Sequence, residues 1–157
     1  MARGEKRAAA RLAAVQALYQ MDVAGTGKHE ILAQFESHWI GQEVEGDQYQ
    51  PADLKLFRDI VGGVLSAQRE LDVMVDDALR TGWPLTRIET VLRAILRAGA
   101  YELQRRRDVP ARVVISEYAD IGGAFFEREE VGMVNGVLDA LAHQLRGPEF
   151  EARAAAD

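Results

Sequence analysis

Apolar residues recur at three- and four-residue steps through most of this chain. The clearest run lies between residues 86 and 107, TRIETVLRAILRAGAYELQRRR. Ile88, Val91, Leu92, Ile95, Leu96, Gly99 and Leu103 share one face, the stripe that a 3.6-residue turn produces. Thr86 and Glu89 have capping-box spacing ahead of it, in which hydroxyl and carboxylate satisfy amides that the first turn leaves unpaired. Asp108-Val-Pro110 ends the helix, and Pro110 suits the first position of the next one. Arg105, Arg106 and Arg107 suit the negative end of the helix dipole. Arg93 and Arg97 lie one turn apart on another face.

The same periodicity places the other helices. A first helix over 5–22 turns Leu12, Val15, Leu18 and Tyr19 inward, and Gly25 and Gly27 break it. A second over 29–40 carries Ile31, Leu32, Phe35, Trp39 and Ile40, and a polar, acidic loop fills 41–50. Pro51 opens a third helix with Gly62 and Gly63 inside it. Each such glycine costs about 1 kcal/mol relative to Ala, which predicts a close approach by another helix. Ser66 marks a kink or a new cap, and a fourth helix continues to about residue 80. Thr81-Gly-Trp-Pro84 is the clearest boundary. Beyond the central helix, Val114, Tyr118, Ile121 and Phe125 form a stripe. A charged turn then carries Phe125 and Phe126, and a last helix over 129–146 ends at Gly147-Pro148. No strand pattern appears. The prediction is an all-α fold with about seven helices, forming one domain over 1–147. Its subdomains would be 1–81 and 82–147, followed by a flexible tail over 148–157.

Composition narrows the function. At 157 residues and 48% hydrophobic content, the chain can bury a real core. It has no cysteine, which excludes a disulfide framework, a thiol nucleophile and a Cys-type zinc site. No apolar run approaches the roughly 18 residues of a membrane span. The basic N-terminus lacks the apolar centre of a signal peptide, so a cytoplasmic protein is expected. The net charge is −6, but it is unevenly spread. Residues 1–21 carry four bases against one acid, and 87–112 carry seven against three. Arg3, Arg7 and Arg11 are spaced four apart with Lys6 beside them. Bases at a helix N-terminus oppose the macrodipole, so local stability does not explain them and an anionic ligand does. Solvated helix faces are the alternative.

No catalytic constellation emerges. His29, His38 and His143 fall on separate predicted helices without metal-ligand spacing. Asp76-Asp77 and Glu129-Glu130 are adjacent pairs, pointing about 100° apart on a helix. Neither an enzyme nor a bound cofactor or metal is expected. Bases combined with the rings of Tyr19, Phe125 and Phe126 suit single-stranded nucleic acid, which cations hold by phosphate and rings by stacking. Tyr19 alone reads as core. Phe125 and Phe126 cannot easily both face inward.

Five blocks then carry a family resemblance. Ala14-Val-Gln-Ala-Leu-Tyr19, Leu96-Arg-Ala-Gly-Ala-Tyr-Glu-Leu103, Asp108-Val-Pro110, Val114-Ile-Ser-Glu-Tyr-Ala119 and Val134-Asn-Gly-Val-Leu-Asp139 resemble, in order, the signatures of the NusB transcription antitermination family. The resemblance implies two packed three-helix bundles and binding of the boxA element of nascent ribosomal RNA. It also implies a small-subunit ribosomal protein, called NusE in its transcription role, as partner within the RNA polymerase antitermination complex. It assigns RNA contact to Arg7 and Arg11, with Arg3 and Lys6 supplementing a sparser arginine motif, to Arg97 on the central helix, and to Phe125. Met133, standing where other members can have Phe, joins that set. Tyr19 and Glu129 match positions associated with partner assembly. Asn135 and Gly136 read as fold residues, the first bonding across a buried seam and the second allowing close helix contact.

Two rivals belong to other classes. NusB-like domains also occur in ribosomal RNA cytosine methyltransferases, but no catalytic cysteine or Gly-rich cofactor region is present here. The other is a structural helical homodimer with no role in RNA binding.

Overall fold

The glycine at the end of the first helix shows how local chemistry sets the element boundaries in this computed structural model, which describes residues 3–40, 43–44, 47–48, 53–79 and 88–150. Gly25 has φ +70° and its amide bonds to the Met21 carbonyl at 3.0 Å, a left-handed helix stop that suits glycine. It closes α1 (Arg3–Ala24) ahead of α2 (Lys28–Ile40). A minimal antiparallel hairpin, β1 (Glu43–Val44) with β2 (Asp47–Gln48), sits where the polar loop was expected. Then follow α3 (Leu54–Leu79), α4 (Thr90–Arg105), α5 (Ala111–Phe125) and α6 (Arg128–Leu145).

α3 joins the third and fourth expected helices across a kink at Ala67, where φ is −111° and ψ 16°, one residue past the expected mark at Ser66. Counting its two limbs separately gives the expected seven helical segments among the described residues ahead of residue 146. α3 opens on an Asp53 cap, whose carboxylate accepts from the Leu56 amide at 3.0 Å. α4 departs from expectation. It begins at Thr90, and Glu89 precedes it with no side-chain cap bond, so the proposed box does not form through Glu89. Thr86, Pro51, the 81–84 boundary and residues 151–157 lie outside the described residues, as do the side chains of Arg3, His38, Trp39 and Ile40.

α4, α5 and α6 pack on one another, α1 and α2 pack with α3, and α4 also contacts α1 and α3 closely. The buried apolar residues form one connected core. Two glycines permit this closeness. A methyl group at Gly63 would lie 2.2 Å from ring carbons of Tyr101, and one at Gly99 would lie 2.7 Å from Leu138 Cδ1. The expected close approach at the Gly62-Gly63 pair is therefore realised, by α4.

The inward face of α1 differs from expectation. Val15 and Leu18 are buried, but the remaining contact surface is Ala10, Ala13, Ala14 and Ala17, while Leu12, Tyr19 and Val23 stand outside. The alanines let α1 lie close to its neighbours, and this rotates the larger side chains outward. The end of the chain also differs. Residues 147–150 form a helical turn, Glu149 accepts from the Ala111 amide at 2.8 Å, and Phe150 stacks on His143 with ring centres 4.0 Å apart. The packed region thus passes the expected boundary at 147.

Helix direction fixes what lies at each end of the molecule. Arg11 pairs with Glu102 late in α4, while Asp22 pairs with Arg93 early in it, so α1 runs antiparallel to α4. α6 runs parallel to α4, because Leu138 meets Gly99 and Arg146 reaches Leu103. The start of α1, the end of α4 and the start of α5 therefore share one end. The end of α1 and the starts of α4 and α6 share the other.

Candidate nucleic-acid interface

The expected RNA contacts divide into surface and core. Arg11 is core. It is 2% exposed, and its Nε and Nη2 donate to the two oxygens of Glu102 at 2.7 and 3.0 Å. Glu117 lies 3.9 Å away, and the Tyr118 hydroxyl donates to Glu102 as well. Burial opposes the charge on Arg11, but the hydrogen bond and the negative charges facing it outweigh burial and hold its pKa above the usual value. Burial first, and then the Glu102 charge, push the Tyr118 hydroxyl pKa well above its usual value. A guanidinium so enclosed has no free edge for a phosphate.

Arg97 is likewise engaged inside the protein. It is 8% exposed, donates to both oxygens of Asp72 at 2.6 and 2.9 Å, and has Asp22 at 3.7 Å. Its charge is matched within the protein, tying α4 to α3 and α1. Both arginines carry the pattern of an RNA-contacting base in the sequence, yet each meets acids on other elements that linear spacing cannot bring into view.

Three expected bases remain at the free end of α1. Arg3 begins the helix. Lys6 is half-buried, and its carbonyl accepts from the Asp53 amide at 3.0 Å. Arg7 is half-buried, and its Nε has no hydrogen-bond partner among the described residues. Phe125 is 44% exposed at the last turn of α5, whereas Phe126 packs against the core. The two rings do not both face inward, as expected, but Phe125 leaves the buried stripe on which the spacing placed it with Val114, Tyr118 and Ile121. Met133 lines a cleft of about 280 Å³ with Ile88, Leu92, Phe126, Glu129 and Glu130. Glu130 Oε2 has no partner there. The fold thus brings Met133 and Glu129 together near Phe125, and sets Arg3, Lys6 and Arg7 at the opposite end.

Tyr19 is 39% exposed and follows Leu12 on the outer side of α1, with Val23 one turn further on. Leu12 also lines a groove of about 660 Å³ against α2, with Gln16, Gln34 and Phe35. Among the described residues no helix is long and apolar enough to cross a membrane, and no group of three His, Asp or Glu side chains is placed to hold a metal ion.

Sequence reasoning missed two residues. Glu102 lies three residues past Gly99 and seven past Ile95, on the apolar stripe itself, and an acid on a buried stripe calls for a cation opposite. Arg146 donates to the carbonyls of Leu103, Glu102 and Arg106 at 2.8, 2.9 and 2.9 Å, and to that of Val109. It gathers carbonyls at and just past the end of α4, of which those of Glu102 and Arg106 also accept the backbone amides of Arg106 and Val109. Its position just before Gly147-Pro148 gave no local signal.

Asn135 and Gly136 are also corrected. Both are exposed, and a methyl group at Gly136 would meet nothing within 4 Å. Only Val134, Val137 and Leu138 of that block enter the core.

Known proteins resemble this chain in sequence and in fold. The family model for NusB matches residues 8–143. A protein of Bradyrhizobium diazoefficiens named transcription antitermination protein NusB is 63% identical over 148 residues, covering 94% of this chain and 90% of that protein. A Rhodopseudomonas palustris (strain HaA2) protein of the same name is 62% identical over 148 residues, covering 94% and 88%. Among solved structures, T. maritima NusB superposes with a TM-score of 0.74 at 23% identity, over 96% of this chain and 98% of that one. A chain from a complex of the antitermination factors NusB and NusE with double-stranded RNA superposes with a TM-score of 0.72 at 23% identity, over 92% and 99%. At that identity the solved structures establish the fold.

Proposed function

The chain belongs to the NusB family, and from that premise we propose that it is a non-catalytic transcription antitermination factor acting in the cytoplasm. It binds the boxA element of ribosomal RNA transcripts together with a small-subunit ribosomal protein in the NusE role, within the RNA polymerase antitermination complex. The observation that carries this reading is the match to relatives named for antitermination across nearly the whole chain. Arg3, Lys6 and Arg7 contribute phosphate contacts, and Phe125 and Met133 offer surfaces to bases. Arg11 and Arg97 contribute indirectly, by fixing α1 against α4. Tyr19, on an exposed apolar stripe, and Glu129, at the start of α6, serve the protein partner.

The available cations are few, so the chain alone holds RNA weakly at cellular salt. A partner that continues the groove and orders the start of α1 lowers the entropic cost of binding. The test is fluorescence anisotropy with boxA and scrambled RNA, with and without the partner, in one buffer. The partner is expected to tighten boxA selectively, and boxA to tighten the partner by the same factor. A chain that dimerises and shows no boxA preference under either condition is instead the structural homodimer, and the RNA reading fails.

A further inference from the structure

Two exposed arginines without a carboxylate partner among the described residues, Arg107 and Arg112, lie at the same end of the molecule as Arg7. The anchor is Arg11, which meets Glu102 of α4 and Glu117 of α5. One turn outward, about 5.4 Å along each helix axis, lie Arg7 on α1, Arg106 just past the end of α4 and the first turn of α5, which carries Arg112. Arg107 stands in the turn between α4 and α5.

Most of the acids at this end are already engaged. Asp59 and Asp108 lie 3.4 and 3.5 Å from Arg106. Glu149 holds the Ala111 amide and approaches Arg146, and Glu70 lies 3.9 Å from Arg105. Glu5 remains as an exposed acid on α1. Arg112 is exposed, with neither a hydrogen bond nor an ion pair among the described residues. Arg107 is exposed and gives one donor to the Leu145 carbonyl at 3.1 Å, with no carboxylate against it. Arg7 Nε is also without a partner. Arg107 and Arg112 thus face outward at one end, and Arg7, half-buried with an unmet Nε, lies at the same end.

We infer that Arg107 and Arg112, with Arg7, form a phosphate-binding end that prolongs the RNA path from α1 onto the turn between α4 and α5. This rests on the RNA-binding reading above. The ligand is the sugar-phosphate backbone of RNA flanking the recognised element. Planar guanidiniums with open donor edges suit phosphate oxygens, and such contacts position a strand without reading its bases.

The experiment compares the unaltered chain, Arg107→Ala/Arg112→Ala and Arg107→Lys/Arg112→Lys, each with the ribosomal-protein partner. The probes are a labelled boxA oligonucleotide and one extended by several nucleotides at both ends. The unaltered chain is expected to bind the extended RNA more tightly. The alanine pair should lose that gain and lower the log–log salt slope by about 1.4, at about 0.7 per phosphate on a single strand. It should keep its thermal midpoint, and the lysine pair should restore the slope. If the alanine pair matches the unaltered chain in affinity and slope, the inference is overturned and the RNA reading stands. If it loses only the protein partner, the surface takes an acidic protein instead, which also overturns it. If the unaltered chain binds neither RNA, the RNA reading falls and this inference with it.

Discussion

A buried guanidinium is tolerable only where a carboxylate is held opposite it, and for Arg11 that carboxylate is Glu102, itself bonded by Tyr118. Removing one partner of such a pair strands the other and costs about 3–5 kcal/mol. Arg11→Ala is therefore expected to lose stability of that order by urea unfolding. Arg7→Ala should stay within about 0.5 kcal/mol while lowering the RNA salt slope by about 0.7. If Arg11→Ala keeps its stability but loses RNA, Arg11 returns to the contact surface. The same contrast applies to Asn135. Exposed on α6, it strands no partner when removed, so Asn135→Leu should shift unfolding by no more than about 0.5 kcal/mol. A loss of about 1–3 kcal/mol, the penalty for an unmet buried hydrogen bond, would restore a buried seam there.

At the scale of the element, glycines in helices separate by what faces them. Gly63 faces the Tyr101 ring, so Gly63→Ala must push α3 from α4, an overpacking that typically costs about 1–3 kcal/mol. Gly136 lies inside α6 with open space beyond it. Gly136→Ala should gain up to about 1 kcal/mol from helix propensity alone. Chemical denaturation of both variants checks the pair, and a destabilised Gly136→Ala would mean that α6 carries a contact absent from this arrangement. The end of α4 shows the complementary case. Its three arginines suit the helix dipole, yet Arg106 and Arg107 lie past its last residue, and the side-chain donor that reaches its Glu102 and Leu103 carbonyls is Arg146 from beyond α6. A helix end inside a domain is met by whatever donor the packing brings to it.

At the scale of the molecule, two tyrosines couple folding to alkaline pH. Burial, then the bond to Asp59, pushes the Tyr101 pKa up to about 12, and burial with the Glu102 charge raises that of Tyr118. In the unfolded chain both ionise near 10. The unfolded state therefore releases these protons first, and stability is lost as pH rises from about 10 toward 12. Denaturation midpoints measured across that interval should fall, and Tyr101→Phe should fall less steeply. An unchanged midpoint up to pH 12 would mean that neither hydroxyl is held as the structure places it.

The sequence alone determined the helices, the kink beside Ser66, the close approach at Gly63 and the family. Each depends on periodicity, on backbone freedom or on short ordered blocks, all of which are local. It also showed that Phe125 and Phe126 do not easily both face inward, because neighbouring helix positions point about 100° apart; which of the two turns out was decided by the packing. Only the tertiary structure decided which arginines are free. Arg7 and Arg11 lie on the same sequence stripe, yet the partner that neutralises Arg11 stands 91 residues away and the Nε of Arg7 has none among the described residues. Likewise the alanines of α1 became its buried face, and Asn135 and Gly136 turned outward on α6. Small side chains give little hydrophobic bias, so the rotation of a helix that carries them is settled by what packs against it. Whether a charge is a ligand or a strut depends on the electrostatic partner and on access to water, and both exist only once distant segments meet.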